Sequence, residues 1–220
     1  VMDGVWMTAK RTGAASALSA RHLARPESSV MGILGCGVQG RSHVEALKVL
    51  IPLKKVMAYD VDASVSEQYA ADISRSFDLE VVPAETPKEA VSGCDIVVTA
   101  GKMAKPPHAT IEAGWLDEGA FASLVDYDAY WQPAAMHATD IFCTDDTNQF
   151  RAAQQAGYFK DVPDLHADLG ELATAQKAGR RTPAERTMTA NLGLALDDMA
   201  VAPLIFQKAV DKGIGTWLPL

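Results

Sequence analysis

The sequence predicts an α/β protein built on a doubly wound parallel sheet, with remnants of a second domain formed by its two ends. Three observations predict it. Six short β-rich runs, at 30–34, 55–59, 79–82, 95–100, 120–125 and 140–144, alternate with helical patterns, the order that lays parallel strands side by side under covering helices. Parallel strands buried on both faces read as continuous apolar runs, and Met31-Gly32-Ile33-Leu34 and Ile96-Val97-Val98 do so. The sextet Gly35-Cys36-Gly37-Val38-Gln39-Gly40 falls where the first strand gives way to a helix.

Taken in order, residues 1–7 read as a hairpin with an Asp3-Gly4 turn whose incoming strand is missing, so the chain is expected to begin within a domain. Small and apolar residues then recur at helical spacing over 12–24, with Thr12 as the expected N-cap and Pro26 as the stop. Helices are expected at 40–50 and 64–76, and a shorter one at 86–92 opening on Thr86-Pro87. Beyond Asn148 the pattern changes to helices at 148–156 and about 168–176 and a long one at 191–212, with Pro203 inside it and Gly213 ending it; no further strand is expected. The last helix is apolar enough to require a partner, either the 12–24 helix or a neighbouring domain. These features divide the chain into 1–25, 26–190 and 191–220, the middle segment carrying the doubly wound sheet and the two ends forming the remnants of a second domain.

Composition narrows the function. Twenty Lys plus Arg against 28 Asp plus Glu give a net charge of −8, which disfavours a nucleic-acid partner. No apolar run approaches the ~20 residues needed to span a bilayer, so no membrane role is expected. Cys36, Cys94 and Cys143 are odd in number and widely spaced, as in a reduced, cytoplasmic protein. The histidines at 22, 43, 108, 137 and 166 share no metal-ligand spacing, and no Ser or Cys occupies a nucleophile elbow, so neither a metal nor a covalent nucleophile is expected.

The glycine sextet gains specificity from its surroundings: a strand before it, a helix after it, and Asp60 twenty residues beyond Gly40 at the end of the next strand. Together these predict a Rossmann-type dinucleotide site. Gly35 allows the tight turn, Gly37 lets the backbone approach a pyrophosphate, and Gly40 lets helix lie close on strand, with the phosphates over free N–H groups at the helix start. An Asp60 carboxylate accepts from ribose hydroxyls and repels a 2′-phosphate, which favours NAD over NADP. Thr99 ends the fourth strand, at the edge where open sheets present residues to ligand. Val125, Asp126 and Asp128 end the fifth, where a carboxylate near the nicotinamide could manage a nitrogen's proton; position alone leaves these two acids equally readable as loop acids. Arg11 presents a planar fork suited to a carboxylate.

Several segments together resemble the ornithine cyclodeaminase/mu-crystallin family: Arg11-Thr12-Gly13-Ala14-Ala15-Ser16, Gly35-Cys36-Gly37-Val38-Gln39-Gly40, Asp168-Leu169-Gly170-Glu171-Leu172, Gly193-Leu194-Ala195-Leu196-Asp197-Asp198 and Lys212-Gly213-Ile214-Gly215-Thr216. The resemblance implies NAD-dependent chemistry on an amino-acid or cyclic-imine substrate: cyclising deamination of ornithine to proline, with alanine dehydrogenation, imine reduction or crystallin-like dinucleotide binding as alternatives. It implies a homodimer. It further implies that Arg11 touches cofactor and substrate carboxylate, Val38 and Gln39 the pyrophosphate, Asp60 the adenosine ribose and Thr99 the cofactor's middle. Asp128 would be the catalytic acid, and Asn191 with Leu192 would close the pocket. Where the family shows Val-Gly-Ala-Asp this chain has Val125-Asp126-Tyr127-Asp128, so choosing Asp128 over Asp126 rests on register. The family's N-terminal segment, with its substrate-binding Lys and Arg, has no match here, which implies a truncated chain.

Overall fold

The computed structural model describes residues 1–217, so the last three residues of the 191–220 segment lie outside it. Eight strands form one wholly parallel sheet: β1 (Val30–Leu34), β2 (Lys55–Tyr59), β3 (Glu80–Pro83), β4 (Ile96–Thr99), β5 (Phe121–Leu124), β6 (Ile141–Thr144), β7 (Ala167–Asp168) and β8 (Thr187–Ala190), in the order β3-β2-β1-β4-β5-β8-β6-β7. The order reverses between β1 and β4, and open α/β sheets bind ligands beyond the carboxyl ends of their strands at such a point.

The helices are α1 (Gly4–Leu23), α2 (Val38–Leu50), α3 (Ala63–Phe77), α4 (Pro133–His137), α5 (Thr147–Gln155), α6 (Leu169–Ala173) and α7 (Ala195–Asp211). Successive strand residues enter opposite cores, as pleating requires. Ile96 and Val98 pack with Leu23, Val44, Leu47 and Tyr69 of α1, α2 and α3, whereas Val97 packs with Trp131, Met136, Phe150 and Phe159 on the other face.

Five expectations change. Residues 1–7 are not a hairpin: Asp3 accepts from the Val5 N–H and caps a helix that runs on to Leu23. Thr12 is therefore not a cap but a buried residue within α1. The 86–92 segment forms turns rather than a helix. The short α4, led by Pro133, was not anticipated. The sheet also continues past residue 148, with β8 inserted between β5 and β6 and β7 at the edge. Thr187-Met188-Thr189-Ala190 lacks an apolar run, yet all four residues are buried, because the hydroxyls find partners: Thr187 Oγ1 donates to the Leu23 carbonyl at 2.7 Å and Thr189 Oγ1 to Asn191 Oδ1 at 3.0 Å. The last helix packs against α1 but buries none of its residues, leaving Leu196, Met199, Leu204 and Phe206 exposed.

Candidate active site

The glycine turn is built as its sequence requires. Gly35 has φ of +101°, and a Cβ there would come within 2.5 Å of the Ala100 carbonyl oxygen, so both the left-handed backbone and the approach of β4 demand glycine. Gly40 has no room for a Cβ against the Gly35 carbonyl and Ile33, which lets α2 lie on β1. Gly37 differs: it precedes α2 with no side-chain cap, and a Cβ there would meet nothing within 4 Å. Open space therefore lies over the uncapped first turn of α2, where Val38 is exposed and free N–H groups attract an anion.

Asp60, immediately after β2, turns towards this bend. Its Oδ2 accepts from the Cys36 N–H at 2.9 Å, while the next helix is capped by Asp62 instead. The Asp60 carboxylate thus stands beside the turn with acceptor capacity to spare.

A cavity of about 550 Å³ opens next to this bend, lined by Arg11 and Thr12 of α1, Gln39, Gly101 to Met103 after β4, Val125 and Tyr127 after β5, and Asn191 to Gly193 after β8. Here Arg11, Gln39, Val125, Asn191 and Leu192, widely separated in sequence, meet. The Arg11 guanidinium lies over Gly193, and its Nε comes within 3.2 Å of Asp198 Oδ1 without hydrogen-bond geometry, leaving that donor unpaired. Gly193 is held from below, its N–H donating to Asp145 Oδ2 at 2.6 Å and its carbonyl accepting from Gln149 Nε2 at 2.9 Å. The side chain of Asn191 is turned inward, towards α1.

The remaining predicted residues are placed elsewhere. Thr99 is buried beneath the cavity, its Oγ1 donating to Asp126 Oδ1 at 2.8 Å and accepting from Trp131 Nε1 at 3.3 Å. Asp126 is only 1% exposed; its Oδ2 accepts from the Gly101 N–H at 3.0 Å, and burial pushes its carboxyl up to about 7. Asp128 borders a different cavity, with Trp131, Pro107 and Met136; its Oδ2 accepts from the Phe159 N–H at 2.7 Å and its Oδ1 has no partner. The reason the two acids diverge lies between them: Tyr127 has φ of +63°, which turns the chain. Neither carboxylate lines the cavity that holds Arg11.

Sequence reasoning missed Tyr127, Lys102 and Asp145. Tyr127 interrupts a pair of acids that drew attention to themselves, and neither Lys102 nor Asp145 falls in a motif. No group of three metal-ligating side chains occurs among the described residues, and none of the described helices is long and apolar enough to cross a membrane.

A glycine turn at a parallel-sheet switch point, an acid one strand along and a cavity beside the helix start define a protein of the dinucleotide-binding α/β class. A profile of the ornithine cyclodeaminase/mu-crystallin family matches residues 1–213, and the chain belongs to that family. It is 31% identical over 225 residues to an alanine dehydrogenase of Archaeoglobus fulgidus, covering 98% of this chain and 68% of that one. Its fold is similar to that of the Δ1-pyrroline-2-carboxylate reductase of Thermococcus litoralis, solved with NADH and L-proline, at a TM-score of 0.86 and 28% identity, covering 99% of this chain and 69% of the other. An archaeal alanine dehydrogenase dimer with bound NAD gives the same TM-score of 0.86 at 27% identity, over 100% and 69% of the two chains.

Proposed function

We propose that the protein is an NAD-dependent oxidoreductase acting at the α-carbon of a small amino acid, or in reverse on the corresponding imine. The observation that carries this reading is the single cavity in which the start of α2, the Arg11 guanidinium and the ends of β4, β5 and β8 converge.

The residues present fit the dinucleotide. The space over Gly37 and the uncapped first turn of α2 suit a pyrophosphate, held by the N–H groups of Val38 and Gln39, and Asp60 suits the adenosine ribose. Bound NAD would supply the hydride acceptor. Gly101 to Met103, Val125 and Leu192 would border its nicotinamide end.

Arg11 binds the substrate carboxylate. Its guanidinium lines the cavity, with the buried Nε facing Asp198, and a carboxylate engages the remaining edge of such a fork in two parallel hydrogen bonds. That fixes the α-carbon in one orientation, which lowers the entropic part of the barrier. Oxidation also requires the amino group to shed a proton as the C=N bond forms. Tyr127 lines the cavity, and its phenol, which burial pushes above the usual range, keeps its proton near neutrality as a hydrogen-bond donor to an imine nitrogen and passes it on as the more basic amine forms in the reductive direction. Asp128 takes this role only if its carboxylate leaves the Phe159 N–H and turns into the cavity.

The experiment is steady-state NADH absorbance with L-alanine, L-proline and L-ornithine. Stoichiometric NADH with alanine or proline supports a net dehydrogenase or imine reductase. Ornithine turnover without accumulating NADH would replace it with cyclodeamination, in which the side-chain amine closes the ring, the original nitrogen leaves as ammonia, and return of the hydride leaves the cofactor unchanged. NAD binding with no turnover of any amino acid or cyclic imine would leave a crystallin-like binding protein instead.

A homodimer belongs to the same proposal. Val5, Trp6, Leu196, Met199 and Phe206 expose apolar surface on α1 and α7, and the archaeal alanine dehydrogenase was solved as a dimer. A cytoplasmic location rests on the three free, buried cysteines.

A further inference from the structure

Behind the cavity wall lies a set of polar side chains wholly enclosed by α1, α2, β5 and β8. Ser16, Ser19, His43 and Ser123 are 0% exposed and Asn191 is 3% exposed. His43 Nδ1 lies 2.7 Å from the Gln39 carbonyl oxygen and its Nε2 lies 2.9 Å from Ser16 Oγ. Ser123 Oγ lies 2.9 Å from the same Ser16 Oγ, and Asn191 Nδ2 reaches Ser16 Oγ at 3.3 Å and Ser19 Oγ at 3.4 Å.

The hydrogens in this set have one consistent arrangement. A carbonyl only accepts, so the Gln39 oxygen requires the proton on Nδ1 of His43. Burial pushes His43 down to about 4, so the ring is neutral and Nε2 must accept. Ser16 therefore donates its one hydrogen to Nε2, and its lone pairs receive the hydrogens of Ser123 Oγ and Asn191 Nδ2. Asn191 Oδ1 accepts from Thr189 Oγ1 at 3.0 Å, which fixes the amide against rotation. Every member is engaged, and a satisfied buried network holds its elements in one geometry.

The two ends of this network are functional. Gln39 belongs to the first turn of α2, over which the dinucleotide phosphates are placed above, and Asn191 follows β8 immediately before Leu192 and Gly193 of the cavity wall. Ser16 lies on the same helix as Arg11. We infer that Ser16 and His43 are positioning residues that link the phosphate-binding turn to the β8 end of the substrate cavity, so that occupation of the turn is felt at Asn191. The inference rests on the proposed nucleotide site.

The test uses nuclear magnetic resonance on the whole chain with ADP, which carries the adenosine and both phosphates but no nicotinamide to touch the cavity directly. In the wild type, His43 carries its proton on Nδ1, and ADP shifts both the Gly37 to Gln39 amides and the side-chain amide of Asn191. In Ser16→Ala the turn amides still shift and the Asn191 response falls at least threefold, whereas Ser123→Ala, which leaves the Gln39–His43–Ser16–Asn191 route intact, keeps it. An undiminished Asn191 response in Ser16→Ala overturns the inference, as does a proton on Nε2 of His43; the latter is read on the wild type and decides the matter should Ser16→Ala fail to fold. If ADP moves no turn amide, the nucleotide reading fails separately, and the network is then judged on the tautomer and on whether Ser16→Ala shifts the Asn191 amide without ligand.

Discussion

The carboxylate of Asp60 accepts a hydrogen bond from the backbone N–H of Cys36 at 2.9 Å, so the acid that follows β2 also secures the glycine bend that follows β1. One side chain therefore has two tasks, fixing the bend and meeting the ribose. Asp60→Ala is expected to weaken NAD binding by roughly 10-fold or more, in line with ~1.5–3 kcal/mol for hydrogen bonds to a charged group. Its preference for NAD over NADP should also shrink, because the repulsion of a 2′-phosphate is gone. Paired titrations of the two coenzymes read this, and an unchanged preference would remove Asp60 from the ribose site.

Gly35 and Gly37 should fail in opposite ways. Gly37→Ala adds a methyl into open space at φ of −77°, so folding should be nearly unaffected while the dinucleotide loses its close approach. Gly35→Ala forces a left-handed alanine against the Ala100 carbonyl, and the fold itself should suffer, by on the order of 1–3 kcal/mol or more. Thermal melts alongside NAD titrations separate the two; a Gly37→Ala protein that binds NAD as the wild type does would show that the phosphates pass elsewhere.

Asp126 makes stability depend on pH. Its carboxyl is raised from 3.8 in the unfolded chain to about 7 in the fold, chiefly by burial, with the Thr99 and Gly101 hydrogen bonds opposing the rise. The native state thus prefers the protonated form. The contribution is fully present below about pH 4, declines as pH rises to about 7, and is constant above, amounting to a few kcal/mol at most by linkage. Asp126→Asn should flatten this slope, since an amide can still accept from the Gly101 N–H while donating to Thr99 Oγ1. Urea midpoints across this range provide the measurement, and a slope that survives the substitution would assign it to another group.

The acid and the phenol after β5 can be told apart kinetically. With Asp128 hydrogen-bonded to Phe159 and outside the Arg11 cavity, Asp128→Asn should leave kcat within a few-fold, whereas Tyr127→Phe should lower it by about 10²-fold or more. The reverse pattern would mean that the 125–128 turn rearranges when substrate binds.

Much of this was legible in the sequence for identifiable reasons. β1 and β2 announced themselves through apolar or β-branched runs bounded by turns, and Gly35 and Gly40 specified their bend because neither position has room for a Cβ, while Gly37 leaves the space above the bend open. β8 was illegible because its threonines are satisfied by partners 164 residues away and two residues away, Leu23 and Asn191, which a local pattern does not reveal. The divergence of Asp126 and Asp128 was hidden for a related reason: a strand's alternation does not continue through a tyrosine with positive φ. The 1–7 segment misled because Asp-Gly serves a hairpin turn and a helix N-terminus equally well, and only the helix continuing into α1 decides between them.

The most direct measurement of the central claim is calorimetric titration of NAD into the folded protein. The account predicts saturable binding of one NAD per chain, stronger than that of NADP. A folded protein that takes up no NAD would contradict it.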